Sequence, residues 1–231
     1  MNLFYQPRIP EGILYLDADE SRHCVRVLRH TVGDNIRITD GKGFFYDAVI
    51  TKADDRECQF HIENKIAQPP RDFFIHIAIS PTKNADRIEW FVEKTVELGI
   101  DKVSLIECDN TERTYLKKER LEKVAVSAMK QSLKATTPVI EGLLSFQDIV
   151  TSHEASKFIA YVDQQNPDHL KNIALPQKSY LVLIGPEGDF SPEELTLALN
   201  NGFQKVSLGH SRLRTETAGI AACHILNLTN S

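Results

Sequence analysis

The strongest fold signals in this chain are Leu181-Val-Leu-Ile-Gly-Pro-Glu-Gly-Asp-Phe-Ser-Pro-Glu-Glu194 and Val206-Ser-Leu-Gly-His-Ser-Arg-Leu-Arg-Thr-Glu-Thr-Ala218. Each segment is an apolar run that ends in a glycine-bearing loop and then begins a helix. Open α/β sheets bind ligands in loops at the C-terminal ends of their strands, so two such loops close together in the chain predict one shared pocket. The first loop has neither the Gly-Lys-Ser/Thr of a Walker A site nor the dinucleotide fingerprint. We therefore expect a ligand other than a polyphosphate.

The composition is that of an ordinary globular protein: 231 residues, 42% hydrophobic and 26% charged. No apolar run has the length of a membrane span, and the N-terminal residues lack the layout of a signal peptide. The histidines show no metal-ligand spacing. Four widely spaced cysteines without a Cys-x-x-Cys pair predict buried thiols rather than bridges in an unexported chain: Cys24, Cys58, Cys108 and Cys223. We expect a reduced, cytoplasmic protein with no metal and no membrane association.

The net charge of −5 argues mildly against nucleic-acid binding, which usually needs a basic surface. The charge is unevenly distributed, however. Residues 113–134 contain seven basic and two acidic side chains, a local charge of +5. This segment is either a solvated helix face or part of a nucleic-acid contact surface.

The best domain boundary is Gln68-Pro-Pro-Arg71, because two consecutive prolines stop regular structure. We predict a small β-barrel over residues 1–67 and an α/β domain with a mainly parallel sheet over residues 72–231. The barrel strands are predicted at 35–40, 43–50 and 58–63. The strands of the second domain are predicted at 73–79, 103–107, 158–162, 181–184 and 203–208.

Helix signals lie between these strands. Asn84 is a predicted cap for a helix that Gly99 ends, and a second helix is predicted from Lys118 to Leu133. Ser191-Pro192-Glu193-Glu194 is a complete helix start, with a hydroxyl cap, a first-turn proline and a glutamate that reaches back. The small residues of Thr217-Ala-Gly-Ile-Ala-Ala-Cys223 predict a helix packed closely, either inside the domain or against a partner subunit.

An N-terminal helix is predicted from the capping pattern Asp17-x-x-Glu20. Arg22, Arg26 and Arg29 follow at i, i+4 and i+7, so an α-helix would place them on one face. That face is either simply solvated or a phosphate contact, since guanidinium groups bind phosphate bidentately.

In the loop after residue 184, Gly185 and Gly188 leave no side chain between the main chain and a ligand. They belong either to a loop that only connects the strand to the helix or to a loop that binds a ligand. Their pairing with the second loop at Leu208-Gly209 favours binding.

The two C-terminal motifs, Ile184-Gly-Pro-Glu-Gly-x-Phe-Ser191 and Leu208-Gly-x-x-x-Leu-Arg-x-Glu-Thr-Ala218, closely resemble those of the bacterial 16S ribosomal RNA uracil-N3 methyltransferases, members of the SPOUT superfamily. The resemblance covers nearly the whole chain. His23-x-x-Arg-Val-Leu-Arg29 and Asp40-Gly-Lys-Gly43 resemble the family's N-terminal PUA-like barrel. Lys83-x-x-x-Arg87-Ile-Glu-Trp90, Glu112-Arg113 and Gln131-Ser132 resemble its central motifs.

This resemblance implies a SPOUT-type α/β domain with a deep trefoil knot, a homodimer, and S-adenosylmethionine bound in the knot. The implied reaction is methylation of N3 of a uridine in 16S rRNA, position 1498, on the 30S subunit. The implied cofactor residues are Ile184, Gly185, Glu187, Gly188, Leu208, Gly209, Leu213, Arg214 and Thr217. The implied RNA contacts are Arg8, Arg22, Arg26, Arg29, Lys83 and Arg87.

The chemistry requires that the proton on uracil N3 be removed. Glu187 and Glu216 are candidate bases, and Arg214 or Arg113 could stabilise negative charge on the base oxygens. Structural salt bridges are the alternative role for all four residues.

The chain departs from the family pattern at three positions. The family usually has glycine where this chain has Asp189, and aspartate tolerates left-handed backbone well enough to keep the loop. Lys130 and Lys134 stand where the family tends to have glutamate and arginine. Lysine keeps the positive charge but lacks the bidentate fork with which arginine binds phosphate.

Three other functions compete with this one. The chain could be a SPOUT enzyme that acts on tRNA or on a ribose hydroxyl, or an RNA-binding module without catalysis. A nicotinamide dehydrogenase is a weaker alternative because its fingerprint is missing. The sequence does not identify the base, the docking of the RNA, or whether an assembled 30S particle is needed.

Overall fold

A computed structural model of the chain describes residues 2–162 and 168–231. The chain divides into two compact units. One is formed by Met1–Pro70 with Val126–Thr137, and the other by Arg71–Ala125 with Pro138–Ser231. Residues 126–137 thus group with the N-terminal unit, whereas the sequence placed them in the second domain.

Hydrogen bonds explain why this segment belongs to the N-terminal unit. The Ala135 carbonyl accepts from the Gly43 amide at 2.8 Å and from the Thr39 hydroxyl at 3.2 Å. The Ala135 amide donates to Gln68 Oε1 at 2.7 Å. These bonds join residues far apart in the chain, and a boundary drawn from consecutive prolines carries no information about them.

The N-terminal unit is built on a four-stranded sheet in the order β1-β2-β3-β4. Its strands are β1 Leu3–Tyr5, β2 Asn35–Thr39, β3 Phe44–Lys52 and β4 Gln59–Ala67. β1 and β2 are parallel, and the other two pairs are antiparallel. The three predicted strands are confirmed. β1 was missed because a strand of three residues shows too little alternation to detect.

A short helix precedes β2 in the chain. α1 spans Ala18–Arg22, and the Asp17 carboxylate caps it by accepting from two amides of the first turn. The helix then widens into a π-helical turn over His23–Val27. Arg26 lies inside that turn, and Arg29 follows it in the left-handed conformation, with a φ of 60°. The prediction of one α-helical face for the three arginines is therefore wrong, because α-helical spacing does not continue through the segment.

The second unit has a six-stranded sheet in the order β10-β8-β9-β5-β6-β7, and every neighbouring pair is parallel. The prediction of a mainly parallel sheet is confirmed. The strands are β5 Phe74–Ile79, β6 Lys102–Glu107, β7 Val139–Ser145, β8 Ser156–Ala160, β9 Ser179–Ile184 and β10 Gln204–Val206. β7 was missed because most of it is only half-buried, so its sequence has neither a continuous apolar run nor a clear alternation.

The helices that follow β5 along the chain are α2 Ala85–Leu98, α3 Lys118–Gln131, α4 Phe146–Val150, α5 Leu170–Ile173, α6 Pro192–Asn200 and α7 Thr215–Thr229. The end of α3, from Val126, belongs to the N-terminal unit. In the second unit, α7 packs so closely on α2 and β5 that a Cβ added at Gly219 would lie 2.5 Å from the Phe91 ring and 3.2 Å from Ile79 Cδ1. The small-residue segment of α7 is therefore packed within the unit, with Gly219 at the closest approach.

The predicted start of α6 is confirmed in detail. The Ser191 hydroxyl accepts from the Glu194 amide at 3.2 Å, and the Glu194 carboxylate accepts from the Ser191 amide at 2.9 Å. This reciprocal cap fixes where the loop after β9 ends.

Two further findings concern the chain as a whole. All four cysteines are buried and free, as predicted. None of the helices described here combines the length and apolar character that a membrane span requires.

Candidate active site

The loops that follow β8, β9 and β10 surround a cavity of about 890 Å³. We call it the first cavity; its walls are residues 160–162, 184–187, 189, 206–215 and 218. The two loops singled out by the sequence thus meet, because parallel neighbouring strands end at the same edge of the sheet. The loop after β8 completes the wall and was not predicted to contribute.

Most of the predicted cofactor residues line the first cavity. Seven of them do so: Ile184, Gly185, Glu187, Leu208, Gly209, Leu213 and Arg214. Thr217 lines a neighbouring cavity instead. Gly188 packs against Asn110, whose side-chain amide donates to the Gly188 carbonyl at 3.3 Å.

The glycines of this site have different physical roles. Gly209 has a φ of 135°, a conformation that other residues rarely adopt, and an added Cβ would meet no atom within 4 Å. The space beside it is therefore open to a ligand. An added Cβ at Gly185 would lie 3.1 Å from the Phe190 ring, so that glycine also makes room for a core side chain.

Asp189 takes the left-handed conformation, with a φ of 63°, as the sequence predicted. Its carboxylate accepts from the amide of Phe190 at 2.9 Å and from that of Val162 at 3.4 Å, which links the loops after β8 and β9. Burial raises the pKa of this carboxyl, and the two amides and Arg212 partly offset that effect. Asp189 therefore preserves the loop geometry and adds an acidic group to the cavity wall.

A second cavity of about 610 Å³ adjoins the first and shares Arg212, Leu213 and Arg214 with it. Its other walls come from the first two turns of α2 and the first turn of α7 and are Asp86, Arg87, Trp90, Glu216 and Thr217. The motif Arg87-x-x-Trp90 was noted in the sequence, but no role was assigned to Trp90. Trp90 lies three residues after Arg87, and the buried residues Ile88 and Phe91 belong to another face of the same helix. This spacing is the signal that could have placed Trp90 beside Arg87 at the site.

The two candidate bases lie in different surroundings. Glu216 lines the second cavity and is 5% exposed. Its Oε1 lies 4.0 Å from Arg87 Nε, and its buried Oε2 has no hydrogen-bond partner among the described residues. Glu187 is exposed on the first cavity, and its carboxylate accepts from the Lys83 amide at 3.4 Å.

The two candidate cations also differ. Arg214 precedes α7 as its N-cap residue and lines both cavities. Arg113 donates from Nε to the Lys83 carbonyl at 3.0 Å, and Lys83 Nζ forms an ion pair with Glu112 at 3.1 Å. Arg113 therefore supports the segment that contacts Glu187, whereas Arg214 faces the cavities directly.

The predicted RNA contacts fall into both units. Arg8, Arg22 and Arg26 are exposed and form ion pairs with nearby carboxylates of the N-terminal unit, and Arg29 is also exposed. Lys83 and Arg87 lie in the second unit, and only Arg87 lines a described cavity. Ion pairs of surface arginines are weak, so these side chains remain able to exchange a carboxylate for a phosphate.

Much of the +5 segment forms ion pairs within the protein. Arg120 lies 2.6 Å from Glu89, Lys118 lies 3.4 Å from Glu122, and Lys130 pairs with Glu20. The segment is therefore less available to a nucleic acid than its formal charge indicates. Lys130, which departs from the family pattern, has a structural partner here. Among the described residues, no group of three or more His, Cys, Asp or Glu could hold a metal ion.

Comparison with protein-family models gives two matches. Residues 69–227 match a family described as an RNA methyltransferase domain, and residues 16–63 match an RNA methyltransferase PUA domain. The chain belongs to this RNA methyltransferase family. The family recognised from the two C-terminal motifs is thus confirmed, together with a PUA-like N-terminal unit and a parallel-sheet methyltransferase unit.

Individual relatives agree with this assignment. The structure of a "probable rRNA-methyltransferase" from Porphyromonas gingivalis is 46% identical, with a TM-score of 0.94 over 100% of this chain and 98% of that one. Ribosomal RNA small subunit methyltransferase E of Neisseria gonorrhoeae, solved bound to S-adenosyl methionine, is 26% identical, with a TM-score of 0.88 over the same shares. The enzyme of that name from Aquifex aeolicus is 28% identical over 98% of this chain and 99% of its own length.

Proposed function

We propose that this protein transfers a methyl group from S-adenosylmethionine to N3 of a uridine in 16S ribosomal RNA, at position 1498. Family membership supports the reaction class. The observation that carries the proposal is the first cavity, where both family motifs meet at the ends of parallel strands. The name shared by relatives from Neisseria gonorrhoeae and Aquifex aeolicus supports ribosomal RNA of the small subunit as the substrate.

The first cavity fits S-adenosylmethionine in size and chemistry. Its volume of about 890 Å³ lies in the range of ligand pockets. Ile184, Leu208 and Leu213 offer apolar walls for the adenine ring, and the open space beside Gly209 lets main chain approach it. Asp189 offers a carboxylate to the positive charge of the cofactor.

When bound, S-adenosylmethionine supplies a methyl group that its sulfonium already activates. The protein must therefore align uracil N3 and manage its proton. Glu187 on the first cavity and Glu216 on the second are the carboxylates that we propose to accept that proton. Arg214, which lines both cavities, would stabilise the negative charge that develops on the uracil oxygens, and Arg113 would act through the Lys83 segment.

The N-terminal unit would bind RNA through its exposed arginines, namely Arg8, Arg22, Arg26 and Arg29. Phosphate contacts of this kind contribute salt-dependent affinity without reading the base. Lys83 and Arg87 would add contacts close to the reacting nucleotide. This division of roles agrees with the PUA-domain match.

Four features follow from the family resemblance and remain proposals. These are a homodimer, a trefoil knot around the first cavity, action on the 30S particle and a cytoplasmic location, where ribosomal subunits are assembled. Sedimentation at micromolar concentration tests the first: we expect a dimer, and a fully active monomer would contradict it.

The reaction is tested by nucleoside mass spectrometry and primer extension on 16S rRNA from a strain that lacks the gene. Purified protein with S-adenosylmethionine should restore 3-methyluridine at position 1498, and 30S particles should be better substrates than naked rRNA. A ribose-methylated or tRNA product would assign the chain to a different SPOUT activity. Tight RNA binding without any methylated product would make it a binding module.

A further inference from the structure

We infer that the second cavity is the binding site for the uracil base and that Glu216 selects uracil by accepting a hydrogen bond from N3–H. This inference rests on the proposed function and names the side chains that would recognise its substrate. The cavity adjoins the first one and shares Arg212, Leu213 and Arg214 with it. A base held there would be next to the site proposed for the methyl donor.

Glu216 provides the most direct evidence for a ligand. Its side chain is 7% exposed, it lines the cavity, and its buried Oε2 has no partner among the described residues. Buried polar atoms in folded proteins nearly always have a hydrogen-bond partner. A donor brought by a ligand would satisfy this oxygen, and the N3–H group of uracil is such a donor.

The other candidate base, Glu187, lacks this property. It is exposed, and its carboxylate already accepts from the Lys83 amide. It also lines only the first cavity. The structure therefore favours Glu216 as the carboxylate that meets the base.

Trp90 gives the cavity an aromatic wall. Trp90 is 46% exposed, although the same helix has a buried face that includes Ile88, Phe91 and Val92. Proteins that bind single-stranded or flipped nucleotides stack the bases on such aromatic side chains and bond to their Watson–Crick edges. Trp90 is placed to stack with a base that enters the cavity.

The charges around the cavity match the edge of uracil. That edge presents an acceptor, a donor and an acceptor, which are O4, N3–H and O2. Arg87 and Arg214 line the same cavity as Glu216 and supply donors for the two oxygens. Asp86 adds a second carboxylate to the wall, which makes this cavity less suited to a bare phosphate than to a base. Cytosine has an unprotonated N3 that would face the Glu216 carboxylate without a hydrogen bond.

The test uses the fluorescence of Trp90, the chain's single tryptophan. Purified protein is titrated with UMP, CMP and 3-methyl-UMP, with excitation at the red edge of tryptophan absorption, where nucleotides are transparent. UMP should quench the emission. CMP and 3-methyl-UMP should need about tenfold higher concentrations, because each leaves the buried carboxylate without its donor.

Two variants test the role of the carboxylate. Glu216→Gln should lose the preference for UMP over CMP, since an amide can donate as well as accept. Glu93→Gln, on the same helix as Trp90 but paired with Lys94 outside the cavity, should keep it. Because the ligand series also works on the unaltered protein, failure of Glu216→Gln to fold would not remove the test.

Three results would overturn the inference: no quenching by UMP, equal quenching by all three nucleotides, or an unchanged preference in folded Glu216→Gln. A fourth result would also overturn the inference: Trp90 emission that changes on dilution of a dimer but not on addition of nucleotide. That result would assign Trp90 to a contact between two copies of the chain. Formation of 3-methyluridine in 16S rRNA without UMP-selective quenching would leave the proposed function intact. Selective quenching with a different methylated product would refute the proposed function alone.

Discussion

Replacing Glu154 by glutamine should destabilise the protein in a pH-dependent way. Glu154 Oε1 lies 2.7 Å from Nδ1 of His76, a fully buried side chain of β5. On its other side, His76 Nε2 lies 2.7 Å from the Ser104 hydroxyl, which donates to Glu141 at 2.7 Å. Glu154, His76, Ser104 and Glu141 thus form one continuous hydrogen-bonded chain inside the second unit.

The magnitude follows from the pKa of Glu154. Burial is the largest single effect and raises that pKa, but the hydrogen bond and attraction to His76, together with the Glu154 amide and Ser152, lower it from 4.5 to about 2. Each unit of pKa corresponds to about 1.4 kcal/mol, so the ionised carboxylate contributes about 3 kcal/mol of stability at pH 7. Because the folded-state pKa is the lower one, this contribution is fully present above pH 4.5 and is lost as the pH falls towards 2. Less than half of the contribution remains at pH 3.

Urea unfolding followed by circular dichroism at several pH values between 7 and 3 measures this difference. The free energy of unfolding of Glu154→Gln should lie about 3 kcal/mol below that of the unaltered protein at pH 7, and the gap should narrow to less than half of that at pH 3. Glu63→Gln, at an exposed position of β4, is the matched control and should change little. A gap that stays constant with pH, or no gap at all, would refute the lowered pKa of Glu154.

Three further predictions concern the second unit. Gly209→Val should weaken S-adenosylmethionine binding at least tenfold by calorimetry while the protein stays folded, because a φ of 135° excludes a branched residue from this loop; normal affinity would place the cofactor elsewhere. Gly219→Ala should lower the free energy of unfolding by about 1–3 kcal/mol, since the new methyl group would overlap the Phe91 ring; unchanged stability would mean that α7 can shift. Arg214→Ala should reduce the turnover number more than cofactor affinity, because charge on uracil develops only during the reaction; steady-state kinetics with equal loss in both would assign Arg214 to binding alone.

Local signals explain which parts of the fold could be predicted. The cap at Ser191 and Glu194, the end of α2 at Gly99 and the left-handed Asp189 each depend on a few neighbouring residues, so the sequence contains all the information needed. β7 and the π-helical turn were missed for the opposite reason. The structure of a half-buried edge strand or a widened helical turn depends on the residues that pack against it. The hydrophobic periodicity of the segment itself does not show those contacts.

For the candidate site, the sequence by itself determined the two glycine loops, their order after apolar strands and the family to which they belong. These are matters of residue type and spacing along the chain. The tertiary structure decided that the loops share one cavity, that Trp90 and Glu216 line a second cavity beside it, and that His76 contacts Glu154. Each of these depends on contacts between residues far apart in sequence, because burial and hydrogen bonding act through space rather than along the chain.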